Sequence, residues 1–368
     1  MIIGLNGQKL LASEPTGVEN YTFEVFKALS KIDKENKYII YFEKEPPESY
    51  FEEITNLNPN FTFKVIKKIL SWTQVGLALE LLKNPIDIFF TTIHTIPGLP
   101  ALLSRKIKFV SVIHGLEFKA NKDSRVNFIK KTIHPWILWF TIKFSKTVIV
   151  PSQATKDAIL KTWKDINKDR MVVIPEGVDE KFLKVKPGKK SNYLFAVSTI
   201  QPRKNYPKMI EGFALALESK KIPSNTKLLI AGKLGWEYEE SLAAPKKFGI
   251  EDNVEFLGHA PENKLLELLS RSYAFISTSL EEGFGLPLLE SMASKTLTVV
   301  SDIPSYREVG ADFPIYVNPK NPEDIKRGII EVFSLRESEK REKLTGAKDR
   351  AAGFTWNLTA QRILASMI

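Results

Sequence analysis

Residues 274–300 read AFISTSLEEGFGLPLLESMASKTLTVV, and this stretch decides the fold class. Its two ends, Ala274–Ser277 and Leu297–Val300, are short apolar runs without polar alternation, which is typical of strands buried on both faces of a parallel sheet. Between them, Pro287 precedes another apolar run. Proline fits the first turn of a helix because the N–H that it lacks would have no partner there. A strand, a helix and a second strand in this order predict a βαβ unit.

The same alternation continues in both directions along the chain. Helical patterns, such as Thr22–Ser30 and Lys208–Glu218, separate the strand-like runs. A polar stretch with proline and glycine, Val185–Ser191, divides them into two series. We therefore predict an α/β fold with two Rossmann-like domains, over 1–185 and 186–350, whose parallel sheets face each other across a cleft. The other strand-like runs are Tyr38–Phe42, Ile86–Phe90, Phe109–Ile113, Thr147–Val150, Tyr193–Val197, Lys227–Ala231 and Val254–Leu257.

Composition excludes several classes of protein. The 368 residues suffice for two domains with their own cores. The chain has no cysteine, which excludes disulfides, thiolate zinc sites and a cysteine nucleophile, and which fits a cytoplasmic protein. The N-terminal residues lack a basic region before an apolar core, so we expect no signal peptide. No apolar run approaches the length needed to span a bilayer.

The net charge of +10 is unevenly distributed. Residues 101–150 contain ten Lys and Arg against two Glu and Asp, a local charge of 10 − 2 = +8. Such a surface suits nucleic acid, an anionic membrane or an anionic substrate. Within it, residues 125–146 read RVNFIKKTIHPWILWFTIKFSK, with lysines on both sides of Trp136, Trp139 and Phe140. The segment predicts either a helix that lies on an anionic bilayer or one that packs its aromatic side chains into the domain core.

Two glutamates enclose the loop that leads into the helix at Pro287. Glu282 and Glu290 stand eight positions apart, and Gly283 and Gly285 let a ligand approach the backbone amides closely. The N-terminus of a helix attracts phosphate, whereas carboxylates accept hydrogen bonds from hydroxyl groups. A ligand with both kinds of group, such as a sugar joined to a nucleoside diphosphate, would use the whole motif. The simpler alternative is a turn with two solvated glutamates.

A basic motif, Gln201-Pro202-Arg203-Lys204-Asn205, follows the strand Tyr193–Val197. The guanidinium fork of Arg203 and the point charge of Lys204 both suit phosphate. Asn205 precedes a helical pattern, and we expect its side chain to cap that helix. Two solvated cations before a helix are the alternative.

These motifs resemble glycosyltransferase family 4, whose members are retaining enzymes with the GT-B fold. The E-x7-E signature of that family matches Glu282 to Glu290. The resemblance implies that Glu282 contacts the donor sugar and that Glu290 binds the ribose. It also implies that Arg203 and Lys204 neutralise the leaving diphosphate. The loop residues implied to bind the diphosphate are Gly283, Phe284, Gly285 and Leu286.

Other segments match the same family in the correct order. The resemblance implies a donor-phosphate contact at Gly17 and a catalytic position for His114 beside the reacting sugar. It implies further donor contacts at Ser198, Gly232 and Lys233. Phe354-Thr355-Trp356 matches the start of a C-terminal helix, over 351–368, that crosses back to the N-terminal domain. Three departures are Glu176 in place of a hinge asparagine, Thr199 near the usual arginine position, and Ser294–Leu297 where Gly and Pro are usual.

The resemblance implies an enzyme, a hexosyltransferase that moves a hexose from a nucleotide-sugar to an acceptor hydroxyl. Mannose is the first expectation, with GDP-mannose or a UDP-hexose as donor. The expected acceptor is a glycan or a lipid-linked glycan in polysaccharide, lipopolysaccharide or glycolipid synthesis, and the expected location is cytoplasmic, with peripheral attachment to the cytoplasmic face of the inner membrane. The chain has no Asp-x-Asp motif, so we expect a metal-independent reaction without a resident cofactor.

Two other classes remain as alternatives. A nicotinamide-dependent Rossmann protein would carry G-x-G-x-x-G after its first strand, and this chain has no such motif. A basic nucleic-acid-binding protein would explain the charge but not the paired glutamates on a phosphate loop. We therefore expect no nucleic-acid partner.

Overall fold

The structure, a computed structural model, describes residues 1–12, 16–46, 48–67, 69–104, 106–116, 128–186 and 188–368. The chain forms two compact units. The N-terminal unit comprises Met1–Gly177 and Trp356–Ile368, and the C-terminal unit comprises Val178–Thr355.

The described part of the N-terminal unit has a seven-stranded sheet in the order β3-β2-β1-β4-β5-β6-β7, with parallel pairing throughout. Its strands are β1 (Ile2–Asn6), β2 (Lys37–Phe42), β3 (Phe61–Val65), β4 (Ile88–Thr91), β5 (Lys108–Val112), β6 (Thr147–Val150) and β7 (Met171–Val173). Its helices are α1 (Gly17–Ile32), α2 (Glu48–Thr55), α3 (Ala78–Lys83), α4 (Gly98–Leu103), α5 (Phe128–Phe144), α6 (Gln153–Thr162) and the terminal α15 (Trp356–Met367), and a π-helical turn (Trp72–Leu77) precedes α3.

The described part of the C-terminal unit has a six-stranded parallel sheet in the order β10-β9-β8-β11-β12-β13. Its strands are β8 (Tyr193–Val197), β9 (Lys227–Ala231), β10 (Val254–Gly258), β11 (Ala274–Ser277), β12 (Leu297–Ser301) and β13 (Ile315–Val317). Its helices are α7 (Glu180–Lys184), α8 (Tyr206–Glu218), α9 (Glu239–Lys247), α10 (Glu262–Arg271), α11 (Leu286–Ala293), α12 (Pro304–Gly310), α13 (Pro322–Ser334) and α14 (Glu337–Ala352). Two units, each with a parallel sheet and helices between its strands, give the α/β fold class that the sequence predicts.

The unit boundaries differ from the predicted domain boundaries. The structure divides the chain after Gly177 rather than after residue 185, because Phe182 on α7 is buried in the core of the C-terminal unit. The terminal helix begins at Trp356 rather than at residue 351. Phe354 still belongs to the C-terminal unit, where its ring meets that of Phe284 at 5.9 Å. The helix α15 then packs against α1 of the N-terminal unit.

Candidate active site

The strand order places the candidate site in the C-terminal unit. From β8 the chain continues outward through β9 and β10, whereas β11, β12 and β13 extend from the other side of β8. The loops after β8 and β11 therefore diverge, and ligands of open α/β sheets bind in the crevice at such a point. The loop after β8 carries Arg203 and Lys204, and the loop after β11 carries Glu282. Sheet topology thus brings Glu282 to Arg203 and Lys204, which lie 79 and 78 residues before it in the chain.

The carboxylate of Glu282 binds both cations. Arg203 donates from Nη1 to Oε2 at 2.8 Å, and Lys204 donates from Nζ to Oε1 at 2.5 Å. The side chain of Glu282 is only 10% exposed. Burial by itself would raise the pKa of Glu282, but the charges of Lys204 and Arg203, helped by hydrogen bonds from Lys204 and Ser279, lower it to about 2. The cluster holds two positive charges and one negative charge, so it keeps a net positive charge for an anionic ligand.

Tyr306 on α12 supports this carboxylate from within the protein. Its hydroxyl lies 2.7 Å from Oγ of Ser277 and donates to Oε1 of Glu282 at 3.4 Å. The ring also lies against Gly285, where an added Cβ would approach it to 2.6 Å. The sequence analysis missed Tyr306, because nothing local to α12 indicates that it reaches the loop after β11.

Asn205 connects three loops, and the prediction that its side chain caps α8 is wrong. Asn205 adopts a left-handed conformation with φ 61° and makes no side-chain cap. Its Nδ2 donates to the carbonyl oxygens of Thr278 at 3.1 Å and Pro319 at 2.7 Å. These bonds tie the loop after β8 to those after β11 and β13, and so they set the position of the adjacent Lys204.

The predicted phosphate-side loop, Gly283–Leu286, leads directly into α11. Gly285 precedes that helix with φ 112°, a conformation that residues with a side chain rarely adopt. The side chain of Phe284 is buried in the core, so this residue can offer a ligand only its backbone. Leu286 opens α11 and Pro287 follows it in the first turn, as predicted. Glu290 lies one turn further along α11 and is partly exposed.

The predicted donor contacts after β8 and β9 lie side by side. An added Cβ on Gly232, which has φ 144°, would overlap the carbonyl oxygen of Ser198 at 1.9 Å. Close packing therefore requires glycine at this position. The hydroxyl of Ser198 lies 2.7 Å from that of Tyr206, and the amide of Gly232 donates to Gly258 at the end of β10. Lys233 follows in the same loop, at the same edge of the sheet as the ion pairs.

His114 lies in the N-terminal unit, just after β5. Its Nδ1 is 3.3 Å from Oε1 of Glu176, and its Nε2 is 3.2 Å from the carbonyl oxygen of Thr92. The ring of Tyr21 meets the imidazole edge-on at 4.6 Å. Glu176, the residue that departs from the family pattern, is thus the side-chain partner of His114. Sequence reasoning did not predict this contact.

Gly17 opens α1 in the same unit. Thr16 and Glu19 form a capping box around it, and Lys9 pairs with Glu19 at 2.7 Å. Among the described residues, apart from the chain neighbours of Gly17 and the backbone of α1, no heavy atom lies within 4 Å of the position that a Cβ on Gly17 would take. Packing within the described residues therefore does not require glycine here.

The aromatic segment forms α5, and it divides its apolar residues between core and surface. Leu138 and Ile142 are buried, whereas Trp136 is 66% exposed, and Ile133, Ile137 and Phe144 are exposed too. Residues 125–127 and the side chains of Lys130 and Lys131 lie outside the described part of the chain. Within the described part, no helix combines the length and the apolar character needed to cross a bilayer.

Two family models together match almost the whole chain, including the loops described above. The model described as Glycosyl transferases group 1 matches residues 178–349, and the model described as Glycosyltransferase Family 4 matches residues 15–182. The chain belongs to glycosyltransferase family 4. The prediction of this family from the sequence motifs is confirmed. The enzyme class predicted with it, hexosyltransferase, is the class of this family.

Two bacterial mannosyltransferases resemble the chain over about two thirds of its length. It is 32% identical to the O-antigen chain mannosyltransferase RfbU of Salmonella typhimurium, across 68% of this chain and 66% of that protein. It is 25% identical to the O-antigen chain mannosyltransferase B of Escherichia coli, across 66% of this chain and 64% of that protein. The chain thus spans just under two thirds of the length of these relatives.

Solved structures confirm the fold class. The crystal structure of Alr3699/HepE from Anabaena, in complex with UDP and glucose, matches with a TM-score of 0.76. The match covers 100% of this chain and 99% of that one at 16% sequence identity. At this identity the likeness establishes the fold alone, and the chain has the GT-B fold.

Proposed function

We propose that the protein is a retaining mannosyltransferase that transfers mannose from GDP-mannose to an acceptor hydroxyl in bacterial polysaccharide synthesis. The observation that carries the proposal is the cluster of Arg203, Lys204 and Glu282 at the switch point of the C-terminal sheet. Its net positive charge beside the start of α11 suits a diphosphate, and its carboxylate suits sugar hydroxyls. The names of the two O-antigen relatives support mannose as the sugar.

Arg203 and Lys204 would stabilise the charge that develops on the leaving diphosphate. Both side chains are largely buried, at 16% and 11% exposure, and preorganised charges are most effective where water is excluded. A pair of fixed cations can take the place of a metal ion in this task, so we propose a metal-independent reaction without a resident cofactor. Full activity after EDTA treatment supports this account, whereas activity that returns only with Mg²⁺ or Mn²⁺ contradicts it.

Retention of the anomeric configuration would follow from attack on the face that the diphosphate leaves. The departing diphosphate would help to accept the proton of the acceptor hydroxyl, and the protein would supply positioning and charge stabilisation. NMR of the freshly formed product tests this step, because GDP-α-mannose should give an α-linked product. A β-linked product would refute retention.

A panel of sugar nucleotides tests the donor assignment. The purified protein should hydrolyse GDP-mannose, or be stabilised thermally by it, more than by UDP-glucose, UDP-N-acetylglucosamine or GDP-fucose. Lys204→Ala should lower turnover of the selected donor 10²-fold or more, since loss of one charge contact at a developing anion typically costs about 3–4 kcal/mol in barrier. Lys208→Ala is the matched control, because Lys208 pairs with Glu211 on α8 and is 45% exposed. Equal turnover by both variants would contradict the site.

We also propose that the acceptor is lipid-linked and that the N-terminal unit contacts an anionic bilayer at the cytoplasmic face of the inner membrane. Trp136, Ile137 and Phe144 expose apolar surface on α5, and Leu102 and Leu103 expose more on α4. Lys143, on the same helix as Trp136, lies over the ring of Trp139 at 5.9 Å. Apolar side chains flanked by lysines favour the interface of an anionic membrane.

Co-sedimentation with vesicles tests this attachment. We expect the protein to pellet with phosphatidylglycerol-containing vesicles at low salt and less with pure phosphatidylcholine vesicles. Trp136→Ala should weaken pelleting, whereas Leu234→Ala, at a 52% exposed leucine of the C-terminal unit, should not. Failure to pellet with either vesicle would sink the membrane proposal and indicate a soluble acceptor.

A further inference from the structure

Tyr306 touches both halves of the proposed donor site, the carboxylate and the amide loop. It is buried on α12, at 2% exposure, in the same core cluster as Phe284 and Leu288. Its hydroxyl reaches Oε1 of Glu282, and its ring lies under Gly285. A side chain that only filled the core would not need this hydroxyl, since phenylalanine has the same ring.

The hydroxyl completes the set of donors that orients the carboxylate. Arg203 binds Oε2, Lys204 and Tyr306 share Oε1, and the side chain of Ser279 adds a further hydrogen bond to the carboxylate. Ser277 lies 2.7 Å from the hydroxyl of Tyr306, so it can donate to the tyrosine oxygen while the tyrosine donates to Glu282. A bound diphosphate would compete with Glu282 for both cations. The bond from Tyr306 does not depend on these cations, and it would still hold the carboxylate.

The ring acts on the loop rather than on the carboxylate. Its Cε1 and Cδ1 atoms lie 2.6 Å and 2.9 Å from the position of a Cβ on Gly285. The backbone therefore passes directly over the ring, and the conformation of Gly285 with φ 112° is supported from below. Since Gly285 precedes the first turn of α11, the ring helps to aim the N–H groups of that turn.

We propose that Tyr306 is a positioning residue: its hydroxyl orients the Glu282 carboxylate toward the donor sugar, and its ring sets the amide loop at Gly285 that receives the diphosphate. The assignment rests on the proposed function, because it takes Glu282 and this loop as the donor contacts. It separates two effects within one side chain. Loss of the hydroxyl should affect turnover, and loss of the ring should affect nucleotide affinity.

The test compares Tyr306→Phe with Tyr193→Phe. Tyr193 is a matched control because its hydroxyl donates to the backbone carbonyl of Leu268. Tyr193 is the first residue of β8, at the end of that strand away from the site. Turnover is measured as hydrolysis of the donor chosen by the panel, and affinity as the Kd of GDP and UDP by calorimetry. Tyr306→Phe should lower kcat tenfold or more while KM and both nucleotide Kd values change less than twofold. Tyr193→Phe should leave all of them unchanged.

A second variant, Tyr306→Leu, should also raise the Kd of the preferred nucleotide at least fivefold, because the ring under Gly285 is lost. Equal kcat for Tyr306→Phe and Tyr193→Phe would overturn the hydroxyl role even if Tyr306→Leu does not fold. A Tyr306→Leu protein that folds and binds nucleotide normally would overturn the ring role. Glu282→Ala distinguishes the two levels of the argument. If it abolishes turnover while Tyr306→Phe is normal, only this inference fails, whereas normal turnover by Glu282→Ala refutes the proposed site itself.

Discussion

Glu282→Gln should bind a free nucleoside diphosphate more tightly than the unsubstituted protein, although it should transfer sugar poorly. In the structure Glu282 accepts hydrogen bonds from Arg203 at 2.8 Å and Lys204 at 2.5 Å, the two cations that we assign to the diphosphate. A nucleoside diphosphate without a sugar gains nothing from the proposed sugar contact of Glu282. It meets only the competing negative charge of that carboxylate. Glutamine keeps the shape and removes the charge.

The size of the effect follows from the charges of the cluster. The substitution changes the net charge from +1 to +2, because two cations then face a neutral amide. A unit charge about 6 Å from the carboxylate interacts with it by about 3 kcal/mol at an effective dielectric constant of about 20. Salt and the solvent in an open site reduce this, so we expect a net gain of about 1.4 kcal/mol, or tenfold in Kd.

Calorimetric titration with GDP and UDP at low and moderate ionic strength measures the change. Glu281→Gln is the matched control, since Glu281 is the exposed neighbour and loses the same charge. Binding to Glu282→Gln should be about tenfold tighter and more salt-dependent than binding to Glu281→Gln. If Glu282→Gln binds both nucleotides as weakly as the control, or more weakly, the carboxylate does not compete with the diphosphate and the assignment of the cations is refuted.

Further outcomes follow from the loops of the same unit, and urea unfolding measures the first three. Asn205→Ala should lower the free energy of unfolding by about 3 kcal/mol, because it leaves two buried carbonyls without their donor and places alanine at φ 61°. Asn205→Gly loses the same hydrogen bonds without the backbone strain, so it should cost about 1 kcal/mol less. Equal losses would show that backbone strain plays no part. Lys295→Gly should stabilise by about 1 kcal/mol, because Lys295 stands at φ 53° after α11, and no gain would mean that the conformation is not strained. The pKa of Glu282 falls from 4.5 to about 2 on folding, so the stability that this carboxylate contributes, about 3 kcal/mol in all, is complete above pH 4.5 and is lost as the pH falls through 2. The difference in free energy of unfolding between the unsubstituted protein and Glu282→Gln should therefore shrink over that range. A constant difference would contradict the shift. Gly285→Ala should raise the Kd of GDP and UDP at least tenfold in calorimetry, because a Cβ would meet the ring of Tyr306 at 2.6 Å; unchanged binding would show that this loop does not receive the nucleotide.

Local pattern predicted the elements that carry the site. The buried strands β8, β9 and β11 are continuous apolar runs, and Pro287 indicated the first turn of α11. The strands β1, β3, β7 and β13 escaped the sequence analysis. The strands β7 and β13 have only three residues each, and β3 is largely exposed, so none of them forms a long buried apolar run. The strand β1 has five residues, four of them buried, but the glycine and asparagine in IIGLN interrupt its apolar run.

The turn after α11 shows how the chain replaces a residue that its pattern lacks. The family usually has Gly and Pro here, and this chain has Ser294–Leu297. Lys295 takes the left-handed conformation in place of glycine, and Thr296 binds the carbonyl oxygen of Leu269 at 2.8 Å. The sequence alone indicated only that the usual turn residues are missing.

By itself, the sequence determined the fold class, the family and the chemical types in the site: two glutamates, two cations and a glycine loop before a helix. These follow from side-chain periodicity and turn chemistry, which act over a few residues. The tertiary structure decided which of them meet. Asn205 binds carbonyls 73 and 114 residues away, and Glu282 meets its cations across 78 and 79 residues. The division between the units lies after Gly177 rather than after residue 185, because the side chain of Phe182 is buried in the core of the second unit. Such contacts depend on the order of strands in the sheet, and no short-range pattern encodes that order.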